Sequence, residues 1–173
     1  MNINVAQIRE DEGLTIHHVY PEGEPVLGER ERSRLVGKST LDAMATREGD
    51  RVELEGELNA EVEFNCDRCL SSTRVPVKQK FDLVYVPPLG TSDESELVEE
   101  DLEVGFYRDQ VIDLDDVVRE QIELALPMHR LCREECKGLC PECGANLNDA
   151  RCDCKREPAD PRWAALKQFK LDS

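Results

Sequence analysis

Arg51-Val52-Glu53-Leu54-Glu55-Gly56-Glu57-Leu58-Asn59-Ala60-Glu61-Val62-Glu63-Phe64-Asn65-Cys66-Asp67-Arg68-Cys69 is the stretch on which the fold turns. Val52, Leu54, Gly56 and Leu58 alternate with Arg51, Glu53, Glu55 and Glu57, and the phase continues through Ala60, Val62 and Phe64 to Cys66. Successive side chains point to opposite faces of a strand, so this period of two reads as a half-buried antiparallel strand. Val75, Val77, Phe81, Leu83 and Tyr85 mark a second strand region over 73–86. Cys66-Asp67-Arg68-Cys69 then falls at the turn between them. Two neighbouring turn sulfurs can converge on one metal ion there without disturbing the ladder.

Working outward, Leu14 to Tyr20 reads as a strand closed by the Pro21-Glu22-Gly23 turn. On the other side a helix is predicted over 113–126. Asp113 suits its cap, and Asp115 and Asp116 favour the positive end of its dipole. Leu114, Val117, Val118, Ile122, Ala125 and Leu126 recur at three- and four-residue spacing as one core-facing stripe, and Pro127 stops the helix. A last short helix is predicted from Asp160 and Pro161, with Trp163, Leu166 and Phe169 on one face. The expected class is α+β: an antiparallel β-sheet, one main packed helix and a C-terminal Cys-rich, zinc-ribbon-like segment. The expected division is an acidic body over 1–129 and a Cys-rich segment over 130–173, whose C-terminal helix packs on the body.

Charge is uneven across that division. The 173 residues carry a formal charge of −16. Residues 130–173 hold nine Lys/Arg and eight Asp/Glu, which leaves −17 on residues 1–129. A body so acidic repels phosphate backbones and argues against a general nucleic-acid clamp; a basic protein partner suits it better. Seven of the acids fall within 91–103 and read as a solvated loop, without the spacing of a calcium loop. The N-terminus lacks the pattern of a secretory signal, and no apolar run is long enough to span a bilayer. The expected location is the cytoplasm, where thiols stay reduced and clusters of cysteine favour metal over disulfide.

Six of the eight cysteines crowd together as Cys132-x3-Cys136-x3-Cys140-x2-Cys143-x8-Cys152-x1-Cys154. Cys140-Pro141-Glu142-Cys143-Gly144 has the form of a zinc knuckle, with Gly144 free to adopt the positive φ that turns the chain away. Eight thiolates suffice for two tetrahedral zinc sites. The simplest partition gives one site to Cys140, Cys143, Cys152 and Cys154, and a second to Cys66, Cys69, Cys132 and Cys136. The expected cofactor is one or two structural Zn2+ ions. His129 is read as an exposed residue rather than a ligand. An iron–sulfur cluster also uses four thiolates, and that alternative stays open. A thioredoxin-like pair needs a helix after its cysteines, whereas Ser71, Ser72 and Thr73 lead into a strand. Four-thiolate sites are closed, and no nucleophilic triad, phosphate-binding loop or acid–base pair stands out, so no enzymatic activity is expected.

Cys66-Asp67-Arg68-Cys69, the helix from Ile112-Asp113-Leu114 to Leu124-Ala125-Leu126-Pro127, the run from Cys136-Lys137-Gly138-Leu139-Cys140-Pro141-Glu142-Cys143-Gly144 to Ala145-Asn146-Leu147-Asn148, and the ending Asp160-Pro161-Arg162-Trp163-Ala164-Ala165-Leu166 together resemble the bacterial YceD family. The resemblance covers roughly 50–170. It implies a non-enzymatic role in accumulation of 23S ribosomal RNA and in large-subunit biogenesis. Many members lack some of these cysteines, so zinc would be a stabilising device of this branch. The implied partner is a ribosomal protein or pre-large-subunit particle, with indirect rather than direct contact to ribosomal RNA. The alternatives are a zinc-ribbon interaction module linked to transcription and a redox-sensitive zinc switch.

Overall fold

The computed structural model describes residues 1–27, 33–88 and 104–154. The predicted acidic loop at 91–103 and the predicted helix at 160–170 lie outside the described residues. In chain order the elements are β1 (Asn2–Asn4), β2 (Leu14–Tyr20), β3 (Ser33–Leu35), β4 (Ser39–Glu48), β5 (Arg51–Asn65), β6 (Ser72–Val86), β7 (Val104–Phe106), β8 (Val111–Asp113) and α1 (Leu114–Ala125). Short 3-10 turns follow β1 and β2 at Val5–Gln7 and Pro25–Leu27.

A long hairpin dominates. β5 and β6 pair antiparallel from Val52↔Tyr85 to Asn65↔Ser72. At ~3.3 Å per residue each arm reaches roughly 50 Å. β4 covers one half of the free edge of β5, from Glu48↔Arg51 to Thr40↔Asn59, and β3 continues along that edge opposite Val62–Phe64. β2 pairs antiparallel with β4, while β7 adds to β6 in parallel, giving a mixed but mostly antiparallel sheet. β1 and β8 form a separate two-stranded ladder.

Alternation decides which face is covered. Val52, Leu54, Leu58, Ala60, Val62 and Phe64 of β5 are buried, with Leu41, Ala43 and Ala45 of β4, Ile16 and Tyr20 of β2, and Val77 and Phe81 of β6. One position in this layer requires glycine. A Cβ on Gly56 would sit 2.6 Å from the ring of its cross-strand partner Phe81 and 2.7 Å from the Asp42 carbonyl oxygen. The outer face is polar; Glu63 accepts from Nε of Arg34 at 2.8 Å and Nε of Arg74 at 2.9 Å.

α1 lays Leu114, Val117, Val118 and Ile122 into the same core. Its cap forms as expected: the Asp113 carboxylate accepts from the Asp115 amide at 2.9 Å, and Asp115 and Asp116 occupy the first turn. The apolar stripe needs one correction, because Ala125 is exposed and Gln121 is buried instead. The chain leaves the helix at Leu126 (φ −78°, ψ 139°), which takes the buried place at that end. Alanine offers only a methyl group, so its exposure costs little. Among the described residues no helix is long and apolar enough to cross a membrane.

Candidate metal centres

The hairpin tip and the chain after α1 meet in a second, smaller buried cluster built on Cys66, Cys69 and Cys136, with Cys132, Leu131 and Leu139 against it. Backbone contacts bring them together. Asp67 N–H donates to the Arg130 carbonyl at 2.8 Å, and the Asp67 carboxylate accepts from the Arg130 amide at 2.8 Å. Arg68 donates from Nη1 to the Cys136 carbonyl at 3.0 Å and accepts at its own carbonyl from the Leu139 amide at 3.1 Å.

The two Cys-x2-Cys turns have the same backbone. The carbonyl of the first cysteine accepts from the residue four on: Leu70 to Cys66 and Gly144 to Cys140, both at 2.9 Å. The amide of the first cysteine donates to the carbonyl five on: Cys66 to Ser71 at 2.9 Å and Cys140 to Ala145 at 2.8 Å. The residue four on lies at positive φ in each, 59° at Leu70 and 73° at Gly144. Two amides aim at the first sulfur in each turn, those of Arg68 and Cys69 at Cys66 and those of Glu142 and Cys143 at Cys140. These are two knuckles, one made between strands and one in the tail.

All eight cysteines are free thiols. They gather as Cys66, Cys69, Cys132 and Cys136 and as Cys140, Cys143, Cys152 and Cys154, with the ligand atoms of each set within 4.8 Å of one another. Closer pairs are Cys66–Cys136 and Cys69–Cys132 at 3.7 Å, Cys143–Cys152 at 3.5 Å and Cys140–Cys152 at 3.3 Å. A tetrahedron with metal–sulfur bonds of about 2.3 Å has edges of about 3.8 Å. Each set could therefore hold one metal ion. His129 is exposed and belongs to neither set. The first set is mostly buried; in the second, Cys143 and Cys154 are exposed.

The thiols are tuned unequally. Burial pushes Cys66 up, but the amides of Cys132, Cys69 and Arg68 outweigh it and bring the thiol down to about 6. The amides of Cys143 and Glu142 bring Cys140 to about 7. Cys136 is lowered chiefly by the Asn148 side-chain amide, against burial. Burial and the neighbouring sulfurs push Cys132 up to about 12, and the Cys152 and Cys143 thiols do the same to Cys154. The first set thus offers two lowered thiols, Cys66 and Cys136, beside a raised Cys132, and the second offers one, Cys140, beside Cys152 and Cys154, which resist ionising. A divalent cation removes that resistance, because a coordinating thiol gives up its proton outright.

Three contributors escaped sequence reasoning: Asp67 and Arg68 as clasps on the tail, and Asn148 against Cys136. No short-range pattern signals the clasps, since their partners lie 63 and 68 positions away. Leu70 hid the likeness of the two turns by standing where Gly144 stands in the other.

The family model described as "Large ribosomal RNA subunit accumulation protein YceD" matches residues 54–170. An uncharacterized protein of Mycobacterium tuberculosis (strain ATCC 25618 / H37Rv) is 36% identical over 129 residues, which are 75% of this chain and 60% of that protein. The "Large ribosomal RNA subunit accumulation protein YCED homolog 1, chloroplastic" of Arabidopsis thaliana is 26% identical over 174 residues, 87% of this chain and 50% of that one. The uncharacterized protein YlbN of Bacillus subtilis is 25% identical over 137 residues, 79% of this chain and 76% of its own length. The chain thus spans about 60% of the mycobacterial relatives it matches. No solved structure matches.

Proposed function

The chain belongs to the YceD family, the large ribosomal RNA subunit accumulation proteins, and from that premise we propose that it is a non-enzymatic factor for accumulation of 23S ribosomal RNA. The observation that carries this reading is the extent of the family match, which takes in most of the β5–β6 hairpin, α1 and both cysteine sets. The body, at −17, is suited to a basic ribosomal protein or an assembly intermediate carrying one, and ill suited to bare RNA.

The metal in this reading is zinc, one ion per set. Sulfur separations of 3.3–3.7 Å favour a single tetrahedral ion. A four-iron cluster would put each thiolate on a different iron and spread the sulfurs beyond one tetrahedral edge. With four thiolates around a divalent ion each centre carries a formal charge of about −2, which makes the tail net negative too and favours a protein-mediated route. Zinc so enclosed supplies folding free energy rather than reactivity.

Depletion of the protein from its cells should lower mature 23S relative to 16S ribosomal RNA, measured on total RNA. Affinity capture, with protein and RNA both identified, should recover large-subunit material. An unchanged ratio together with capture of polymerase and no ribosomal protein would refute the proposal in favour of a transcription-linked module.

A further inference from the structure

Between the two cysteine sets runs Lys137-Gly138-Leu139, and Asn148 folds back onto its start. The Asn148 carboxamide is fully committed. Its Oδ1 accepts from the Lys137 amide at 2.9 Å, and its Nδ2 donates to Asn146 Oδ1 at 2.8 Å and to the sulfur of Cys136 at 3.4 Å. Reversing the amide would set two donors against each other at Lys137 and two acceptors at Asn146, so the geometry fixes which end faces the sulfur.

What holds Asn148 is the pair of segments that flank the other centre's knuckle and close its base. Its backbone N–H donates to Asn146 Oδ1 at 3.0 Å, and Asn146 Nδ2 donates to Asp149 at 2.8 Å. Leu139 bridges Asn146, and the Leu147 amide donates to the Gly138 carbonyl at 2.9 Å. Asn148 is thus held at the base of the Cys140 knuckle while its side chain touches a sulfur of the Cys66 set. The Gly138 Cα hydrogen faces the Arg68 carbonyl, where a Cβ would come within 3.1 Å, so the segment leading into the second knuckle packs directly on the first.

We propose that Asn148 is the positioning residue of the Cys66–Cys69–Cys132–Cys136 centre: its N–H···S hydrogen bond to Cys136 makes metal retention there depend on the folded state of the neighbouring Cys140 knuckle. The inference rests on the reading of both sets as metal centres. A donor to a ligating sulfur offsets part of the negative charge of a four-thiolate centre and holds the sulfur's direction, and loss of such an outer contact weakens metal retention about tenfold or more.

The test uses the full chain loaded with Co2+, whose sulfur-to-metal charge-transfer absorption reports on the thiolates, and follows metal release to a chelator. Two variants separate the roles. Asn148→Asp keeps an acceptor for the Lys137 amide and removes the donor to sulfur; Asn148→Ala removes both. Both variants should load two ions, release one of them about tenfold faster than the parent does and absorb at longer wavelength. An Asn148→Asp protein with the parent's release rate and spectrum overturns the inference, because the residue would then serve only to hold the backbone. Such a result is decisive even if Asn148→Ala fails to fold. A parent chain that binds no Co2+ at either set instead overturns the metal reading, and this inference with it.

Discussion

Replacing Cys66 with Ser should detach the tail from the sheet, and replacing Cys143 should not. Cys66 is fully buried at the hairpin tip, and its set joins Cys69 to Cys132 across 63 positions. Closing a loop of that length removes about 4 kcal/mol of unfolded-chain entropy. The Cys143–Cys152 link closes only nine positions, all within the tail, for about 2.5 kcal/mol. For a chain of this size ~4 kcal/mol corresponds to roughly 8–16 °C in melting temperature. Cys66→Ser should therefore lower bound zinc by one ion and lower the melting of the sheet, followed by far-UV circular dichroism, by about that amount. Cys143→Ser should also lose one ion but shift the sheet by a few degrees at most. Chelator treatment of the parent should reproduce the Cys66→Ser melting curve. Equal shifts in the two variants, or no shift in Cys66→Ser, would refute the idea that the first set staples the tail to the hairpin.

Other consequences are local. Leu70 holds φ 59° with a side chain 63% exposed, so Leu70→Gly should give up little burial and relieve strain; chemical denaturation should show stability unchanged or raised by up to ~1 kcal/mol. Gly56→Ala should destabilise by about 1–3 kcal/mol in the same assay, since its new methyl would meet Phe81, Asp42 and Ala43 at under 3 Å. The Arg74 and Arg34 guanidiniums hold the Glu63 carboxyl below the usual range. Its stabilising contribution is therefore present above the ordinary carboxylate pKa of ~4.3 and lost as pH falls through the lower folded value. Glu63→Gln should therefore lower stability slightly at neutral pH, converge with the parent in acid and so flatten the acid limb of a stability–pH curve.

Much of the architecture was readable where one physical signal ran long enough to dominate. Fourteen consecutive register pairs of β5 and β6 follow from a single alternating pattern. The start of α1 follows from Asp113, and its end from Pro127. β4 escaped because its inward positions are Ser39, Leu41, Ala43 and Ala45, mostly too small to mark an apolar face. The three-residue strands β1, β3, β7 and β8 carry too few residues for any periodicity. They exist because a partner strand offers hydrogen bonds, which is a property of the assembled fold.

The cysteine sets divide along the same line. Sequence alone determined that two Cys-x2-Cys turns exist, that one interrupts a hairpin, and that the chain is of the YceD kind, because turn chemistry and motif are local. Which sulfurs meet depends on where α1 returns the chain, on Asp67 clasping Arg130 and on Asn148 reaching Cys136. Those contacts join residues from 12 to 63 positions apart. Only the closed tertiary structure brings such groups within hydrogen-bonding range, because the entropy of closing those loops is offset by burial and ligation between distant segments and not by anything near them in the chain.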